Sequence, residues 1–286
     1  MNVRKAVIIA AGWGTRFLPV TRSQPKEMLP LVDKPLIQYS VEEAINSGIE
    51  QIIIVTAMGK TSIEDYFDRC FELEYFLEQK GATVLLQQMR ELSGMADISY
   101  VRQKEQLGLG HAILTAKNIV GEEPFAIILP DDIIDSEVPS LKRMIEVYEK
   151  HGAGVVAVER VSEEAVRKYG IIDPKLVSEG VYEVLSLVEK PEPSQAPSRL
   201  GIVGRYILTP QIFDELMVTP SGKGREIQLT DALQLLLKKQ PLFAFELDGV
   251  RYDTGTPLGW LEANISLALK RDDIGPGLRE YLRKLL

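Results

Sequence analysis

The sequence lacks several things, and each absence excludes a class of protein. Cys70 is the only cysteine in 286 residues, so no intramolecular disulfide can brace the fold, which suits a reducing cytoplasm. Its neighbours suggest that it packs on a helix face. No apolar run approaches the ~18 residues of a membrane-spanning helix; the longest, such as Ala6–Ala11 and Phe125–Leu129, are far shorter, and no membrane partner is expected. Met1–Lys5 leads directly into a strand-like segment without an apolar stretch and cleavage site, so no secretory signal is expected and the expected compartment is the cytoplasm. Basic residues are not in excess. A net charge of -8 argues against a nucleic-acid backbone as the main partner. Low-complexity tracts, internal repeats and a clear linker are also missing, which leaves one large domain with a sizeable core.

Short β-branched runs alternate with helical patterns through the first half: Arg4–Ala10, Leu36–Asn46, Gln51–Thr56, Ser62–Gln79, Ser99–Arg102, Gly110–Asn118, Phe125–Leu129 and Leu141–Lys150. This alternation predicts βαβ units around a Rossmann-like α/β sheet, mixed but mostly parallel and flanked by helices. From Gly154 strands follow one another (Gly154–Arg160, Tyr182–Glu189, Gly204–Leu208), then a helix over Gln228–Lys239 and a strand over Leu242–Leu247. That half predicts a small antiparallel portion. Trp260–Lys270 and Leu278–Leu286 read as C-terminal helices separated by Asp272–Gly277, whose Gly275-Pro276-Gly277 forces a break. They either cover a core edge or join a subunit interface. Ligands of such sheets sit beyond the carboxyl ends of the strands, so the residues just after each strand carry the functional signal.

The first exit is Ala10-Ala11-Gly12-Trp13-Gly14-Thr15-Arg16, whose glycines let the backbone curl and present N–H groups to an anion, with Arg16 adding a fixed positive fork. Phe17 stands where a dinucleotide loop needs its third glycine, and no Gly-x-x-x-x-Gly-Lys-Ser/Thr occurs, so both familiar nucleotide signatures fail. What remains, Ala-Gly-x-Gly-Thr-Arg-Phe-Leu-Pro with Lys26 in Pro25-Lys26-Glu27-Met28-Leu29-Pro30, resembles the signature of the sugar-1-phosphate nucleotidylyltransferase family. The resemblance spans nearly the whole chain. Leu107-Gly108-Leu109-Gly110-His111-Ala112 and Glu226-Ile227-Gln228-Leu229-Thr230-Asp231 are most similar to its uridylyltransferase branch. Trp13 stands where a smaller apolar residue is common, and Arg22 where lysine is common; neither removes a proposed contact.

The resemblance implies uridylyl transfer from UTP to glucose 1-phosphate, with Mg²⁺ as cofactor and a homodimer or homotetramer as the assembly. The nucleotide part would span 1–153, the sugar part 154–255 and the terminal helices 256–286. It implies that Ala10, Ala11, Gly12, Gly14 and Thr15 line the nucleotide site, that Gln103 and Gly108 read uracil, and that Asp131 adjoins the nucleotide. Arg16, Lys26 and Lys190 become the catalytic cations. Two anionic substrates repel one another and must still bring reacting atoms to about 3–3.5 Å, which explains the need for positive charge. Gly170, Glu189 and Lys190 would meet the sugar and its phosphate. Asp131 and Asp253, both at strand ends, are the implied Mg²⁺ ligands, an ion that takes only one or two protein carboxylates. Asp132 reads as a residue that hydrogen-bonds its loop, and His111 as a structural histidine at a helix N-terminus. Two alternatives stay open: a thymidylyltransferase using dTTP, since one methyl is worth only about 1–3 kcal/mol in a pocket, and a non-catalytic regulator that binds sugar nucleotides.

Overall fold

The computed structural model describes residues 2–222 and 225–285, so Leu286, the end of the expected last helix, lies outside the described residues. Lys5–Ile9 (β1), Gln51–Thr56 (β2), Asp97–Arg102 (β3) and Phe125–Ile128 (β4) lie parallel in the order β3-β2-β1-β4. The centres of β1 and β2 are sealed from solvent on both faces. Val7, Ile53, Val55 and Ile127 pack into one core, while Ala6, Ile8, Ile52, Ile54 and Ile128 point the other way into a second. A parallel sheet covered by helices on both faces therefore reads as unbroken apolar runs. Each of the valine and isoleucine side chains stabilises the fold by roughly 1.5–3 kcal/mol.

Besides a two-residue antiparallel pair, Pro30–Leu31 with Lys34–Pro35, the remaining strands are Asp132–Asp135 (β5), Gly154–Arg160 (β6), Gly170–Ser178 (β7), Val181–Glu189 (β8), Leu200–Leu208 (β9), Leu242–Glu246 (β10) and Val250–Asp253 (β11). All but β5, β11 and that short pair continue the first sheet, which has nine strands in the order β3-β2-β1-β4-β9-β6-β10-β8-β7, with β6 and β10 parallel to each other. β9 runs antiparallel to both β4 and β6, and β8 is antiparallel to β10 and β7. β5 and β11 form their own antiparallel pair, with Asp132 opposite Asp253. The fold is a mixed α/β sheet in which the antiparallel strands extend the parallel ones.

Three local expectations are corrected. The helix foreseen over Ser62–Gln79 is two helices, Thr61–Phe67 and Phe71–Gln79, followed by a third over Thr83–Ser93 that the sequence reading did not pick out. Glu74 holds the break by accepting from Arg69 at 2.8 and 2.9 Å and from Arg90 at 3.0 Å. Cys70 therefore caps the start of the second helix and is exposed, not packed on a helix face. Gly275-Pro276-Gly277 forms the first turn of the terminal helix Gly275–Leu285, and the break falls earlier, between Lys270 and Gly275. Proline in a first turn lacks only an N–H that would have had no helical partner. Among the described residues, no helix is long and apolar enough to cross a membrane.

Candidate active site

The exits of β1, β2, β3 and β4 gather at one edge of the sheet. Ala10 N–H still bonds Val55 O and Gln103 N–H still bonds Thr56 O, so the strand frame reaches the first residues of each exit. Beyond β1 the chain curls through Gly14 at φ 65, and the Thr21 hydroxyl donates to Gly14 O at 2.8 Å. Residues 11–15, Lys26, Gln103, Gly108 and Asp131 line a cavity of about 470 Å³. Trp13 projects from the loop and is 69% exposed. Ala10 does not reach this cavity: it is buried, with its N–H on Val55 and its carbonyl on the Lys60 ammonium at 2.6 Å.

A second cavity of about 340 Å³ adjoins the first, and Leu109, Leu129 and Asp131 belong to the walls of both. Gly170, Glu189 and Lys190 line it, together with Arg16 and Asp253. Register brings Gly170 opposite Glu189, and a Cβ on Gly170 would stand 3.1 Å from the Thr230 hydroxyl and 3.4 Å from Glu189 Oε2. Lys190 follows β8 with φ 46, an uncommon conformation for a residue with a side chain, and its ammonium lies 2.9 Å from Glu189 Oε1. Every predicted site residue except Ala10 thus borders one of the two cavities.

Cations and carboxylates meet where the cavities join. Lys26 Nζ donates to Asp131 Oδ2 at 2.5 Å. Burial works against the Lys26 charge, but Asp131 and Glu27 outweigh it and its pKa ends above the ordinary lysine value. Burial likewise opposes the Asp131 charge, while Lys26 and the hydrogen bond from it hold that carboxyl below its ordinary range. Asp253 lies far away in sequence yet is tied to the same spot. Thr254, fully buried, donates its N–H and its hydroxyl to Asp131 O at 2.8 and 2.7 Å. Each bond contributes about 0.5–1.5 kcal/mol and, together, they set the two strand ends side by side.

Gly255 reveals what these groups surround. A Cβ there would stand 3.0 Å from Asp131 Oδ2, 3.0 Å from Asp253 Oδ1 and 3.2 Å from an Arg16 guanidinium nitrogen. Two carboxylate oxygens therefore converge on one small cradle. No group of three or more His, Cys, Asp or Glu able to hold a metal occurs among the described residues. A pair of hard oxygen donors beside phosphate-binding groups suits Mg²⁺, which completes its shell with phosphates and water. Asp132 is not part of the cradle's converging pair: its Oδ2 accepts from Gly204 N–H at 2.9 Å and its other oxygen from Arg251.

Several residues at the site were not found by reading the sequence. Lys60 and Glu27 form a buried pair at 2.8 Å beneath the β1 loop, and burial drives the Glu27 pKa up and the Lys60 pKa down. Gln106 donates to Ala11 O at 2.9 Å. Arg205, 1% exposed, donates to Glu43 Oε2, to Leu129 O and to Asp132 O at 2.7–3.1 Å, clamping the β4 exit from below. Arg251 gives its remaining bonds to Glu159 and the Tyr169 hydroxyl, each at 2.7 Å. For Arg251 a signal existed: it lies two residues before Asp253 on one strand, hence on the same face. Nothing in the sequence links Glu43 to Arg205.

Known proteins resemble this chain over nearly its whole length. The profile of the family described as Nucleotidyl transferase matches residues 5–269. A UTP–glucose-1-phosphate uridylyltransferase of Staphylococcus epidermidis is 50% identical over 284 residues, 99% of each chain. The UTP–glucose-1-phosphate uridylyltransferase YngB of Bacillus subtilis is 52% identical over 285 residues, all of this chain and 96% of its own. Among solved structures, the UTP-bound UGPase from Acinetobacter baumannii superposes with a TM-score of 0.93 at 42% identity, over 99% of this chain and 100% of its own.

Proposed function

Because the chain belongs to the nucleotidyl transferase family, we propose that it makes UDP-glucose and pyrophosphate from UTP and glucose 1-phosphate. The observation that carries this reading is the pair of cavities sharing a wall at Asp131, one lined by a glycine-rich loop and Gln103, the other by Glu189 and Lys190. The larger cavity takes the nucleotide and the smaller the sugar phosphate. Their common wall is where the α-phosphorus must lie.

A phosphate oxygen of glucose 1-phosphate attacks the α-phosphorus of UTP. A new P–O bond forms, the bond to the β-phosphate bridge breaks, and pyrophosphate leaves with its electron pair. The attacking oxygen is already ionised, so no general base and no covalent enzyme intermediate are needed. Backbone N–H groups of the 11–15 loop, with Arg16 and Lys26, hold the triphosphate. Lys26 is well suited, since its raised pKa keeps it cationic and Asp131 aims it at the shared wall. Lys190 holds the phosphate of the sugar, Glu189 accepts sugar hydroxyls, and Gly170 leaves room for the ring. Asp131 and Asp253 would hold Mg²⁺, which when bound supplies charge neutralisation for the phosphates. The protein's contribution is alignment and electrostatic stabilisation.

The test is pyrophosphate release with glucose 1-phosphate and Mg²⁺, comparing UTP, dTTP, CTP and ATP. A clear UTP preference is expected. Equal use of UTP and dTTP would reassign the chain to a thymidylyl or mixed activity, and no release with any nucleotide would leave a binding protein.

A further inference from the structure

We propose that His111, together with the Gly108 carbonyl, sets base selectivity by holding the Gln103 carboxamide with its oxygen toward the base. The inference rests on the larger cavity being the uridine site. Gln103 Nε2 lies 3.2 Å from Gly108 O and 3.0 Å from His111 Nδ1. A backbone carbonyl can only accept, so the nitrogen end of the amide must face it. An amide nitrogen can only donate, so His111 Nδ1 must be the acceptor, in the neutral tautomer with its proton on Nε2. Gly108 O cannot turn away, because it also accepts the helical bond from Ala112 N–H at 3.1 Å.

Both amide hydrogens of Gln103 are thereby taken. Its Oε1 has no hydrogen-bond partner among the described residues and is not sealed from solvent, which leaves it as the atom available to a ligand in the cavity that Gln103 and Gly108 line. The identity of that atom matters. Uracil carries N–H at N3, where cytosine carries a lone pair. An oxygen held at that point pairs with the first and repels the second, whereas a free carboxamide would turn over and donate to cytosine. In this protein the turned amide would set its oxygen against Gly108 O, which can only accept, and would force the His111 proton from Nε2 to Nδ1. His111 is thus a positioning residue that never touches the reacting atoms.

Two substitutions separate the acceptor from the ring. In His111→Asn the Oδ1 stands two bonds from Cβ, as Nδ1 does, and keeps an acceptor; His111→Phe keeps the ring and loses it. The readout is the ratio of kcat/KM for UTP to that for CTP, with both variants checked for folding by thermal unfolding. His111→Phe should lower the ratio about tenfold, mainly through gain of CTP use, as expected for one or two net hydrogen bonds; His111→Asn should retain it. An unchanged ratio in His111→Phe, or an equal fall in both variants, overturns the proposal. If His111→Phe does not fold, His111→Leu takes its place under the same criteria. Wild-type enzyme that fails to use UTP would instead overturn the functional reading, and equilibrium binding of UTP and CTP to the same variants then decides the role of His111.

Discussion

Replacing Gly255 by alanine puts a methyl group into the cradle between Asp131 and Asp253. The new carbon would stand 3.0 Å from an oxygen of each carboxylate and 3.2 Å from the Arg16 guanidinium, where ordinary contact begins at 3.4 Å. Each carboxylate must retreat by about 0.4 Å, roughly a fifth of the ~2.0–2.1 Å bond that Mg²⁺ makes to oxygen and holds to near-ideal octahedral geometry. A misplacement of about 1 Å can slow a reaction ~100-fold. The loss in kcat/KM should therefore lie between about tenfold and 100-fold, or roughly 1.4–2.7 kcal/mol in the barrier. The Mg²⁺ concentration for half-maximal activity should rise in parallel. Stability should change little, since alanine reduces the freedom of the unfolded chain by about 0.4–1 kcal/mol and so offsets the crowding. The assay is pyrophosphate release titrated with Mg²⁺, alongside a thermal melt. A Mg²⁺ activation curve that superimposes on the wild type would show that these two carboxylates do not hold the ion.

Lys26→Ala should lower turnover by about 10²–10³-fold, as loss of a preorganised charge does elsewhere, with the fold intact; unchanged steady-state rates would remove Lys26 from the mechanism. The same variant tests the electrostatics. Asp131 is depressed and Lys26 raised, so their pairing is complete between about pH 5 and 9. It is lost at the acid end as pH falls through the lowered Asp131 value, and at the basic end as pH rises through the raised Lys26 value. Lys26→Ala should move the Asp131 titration upward, which carbon-detected NMR of the carboxyl can follow; no movement would mean that the ion pair is not the cause. Arg205→Met strips a largely buried Glu43 of its ion-pair partner and should destabilise the fold by about 3 kcal/mol in urea unfolding, with much of the loss recovered in Glu43→Leu/Arg205→Met. A loss under about 1 kcal/mol in the single variant would indicate that the clamp on the β4 exit is dispensable.

Local chemistry in the sequence was enough for the frame of the molecule. Unbroken β-branched runs such as Ala6–Ile9 and Ile52–Val55 can be satisfied only by burial on both faces, so the parallel half was legible from composition alone. The polar and glycine-rich stretches just after those runs marked the site for the same reason: a strand that ends at a covered edge leaves its next residues facing a crevice. The helix over Ser62–Gln79 misled because its apolar spacing continues through Asp68-Arg69-Cys70, and only Glu74 drawing in Arg69 and Arg90 breaks it. The placement of Asp253 beside Asp131 was another matter. It depends on Thr254 bonding the Asp131 carbonyl and on β11 pairing with β5, contacts between segments far apart in the chain. So do the clamp of Arg205 on Glu43 and the orientation of the Gln103 amide by Gly108 and His111. Periodicity and turn chemistry act over a few residues and could fix which segments become strands and loops. Directional bonds between distant segments have no such local signature, and tertiary packing alone decided how the carboxylates converge and which atom Gln103 shows to a base.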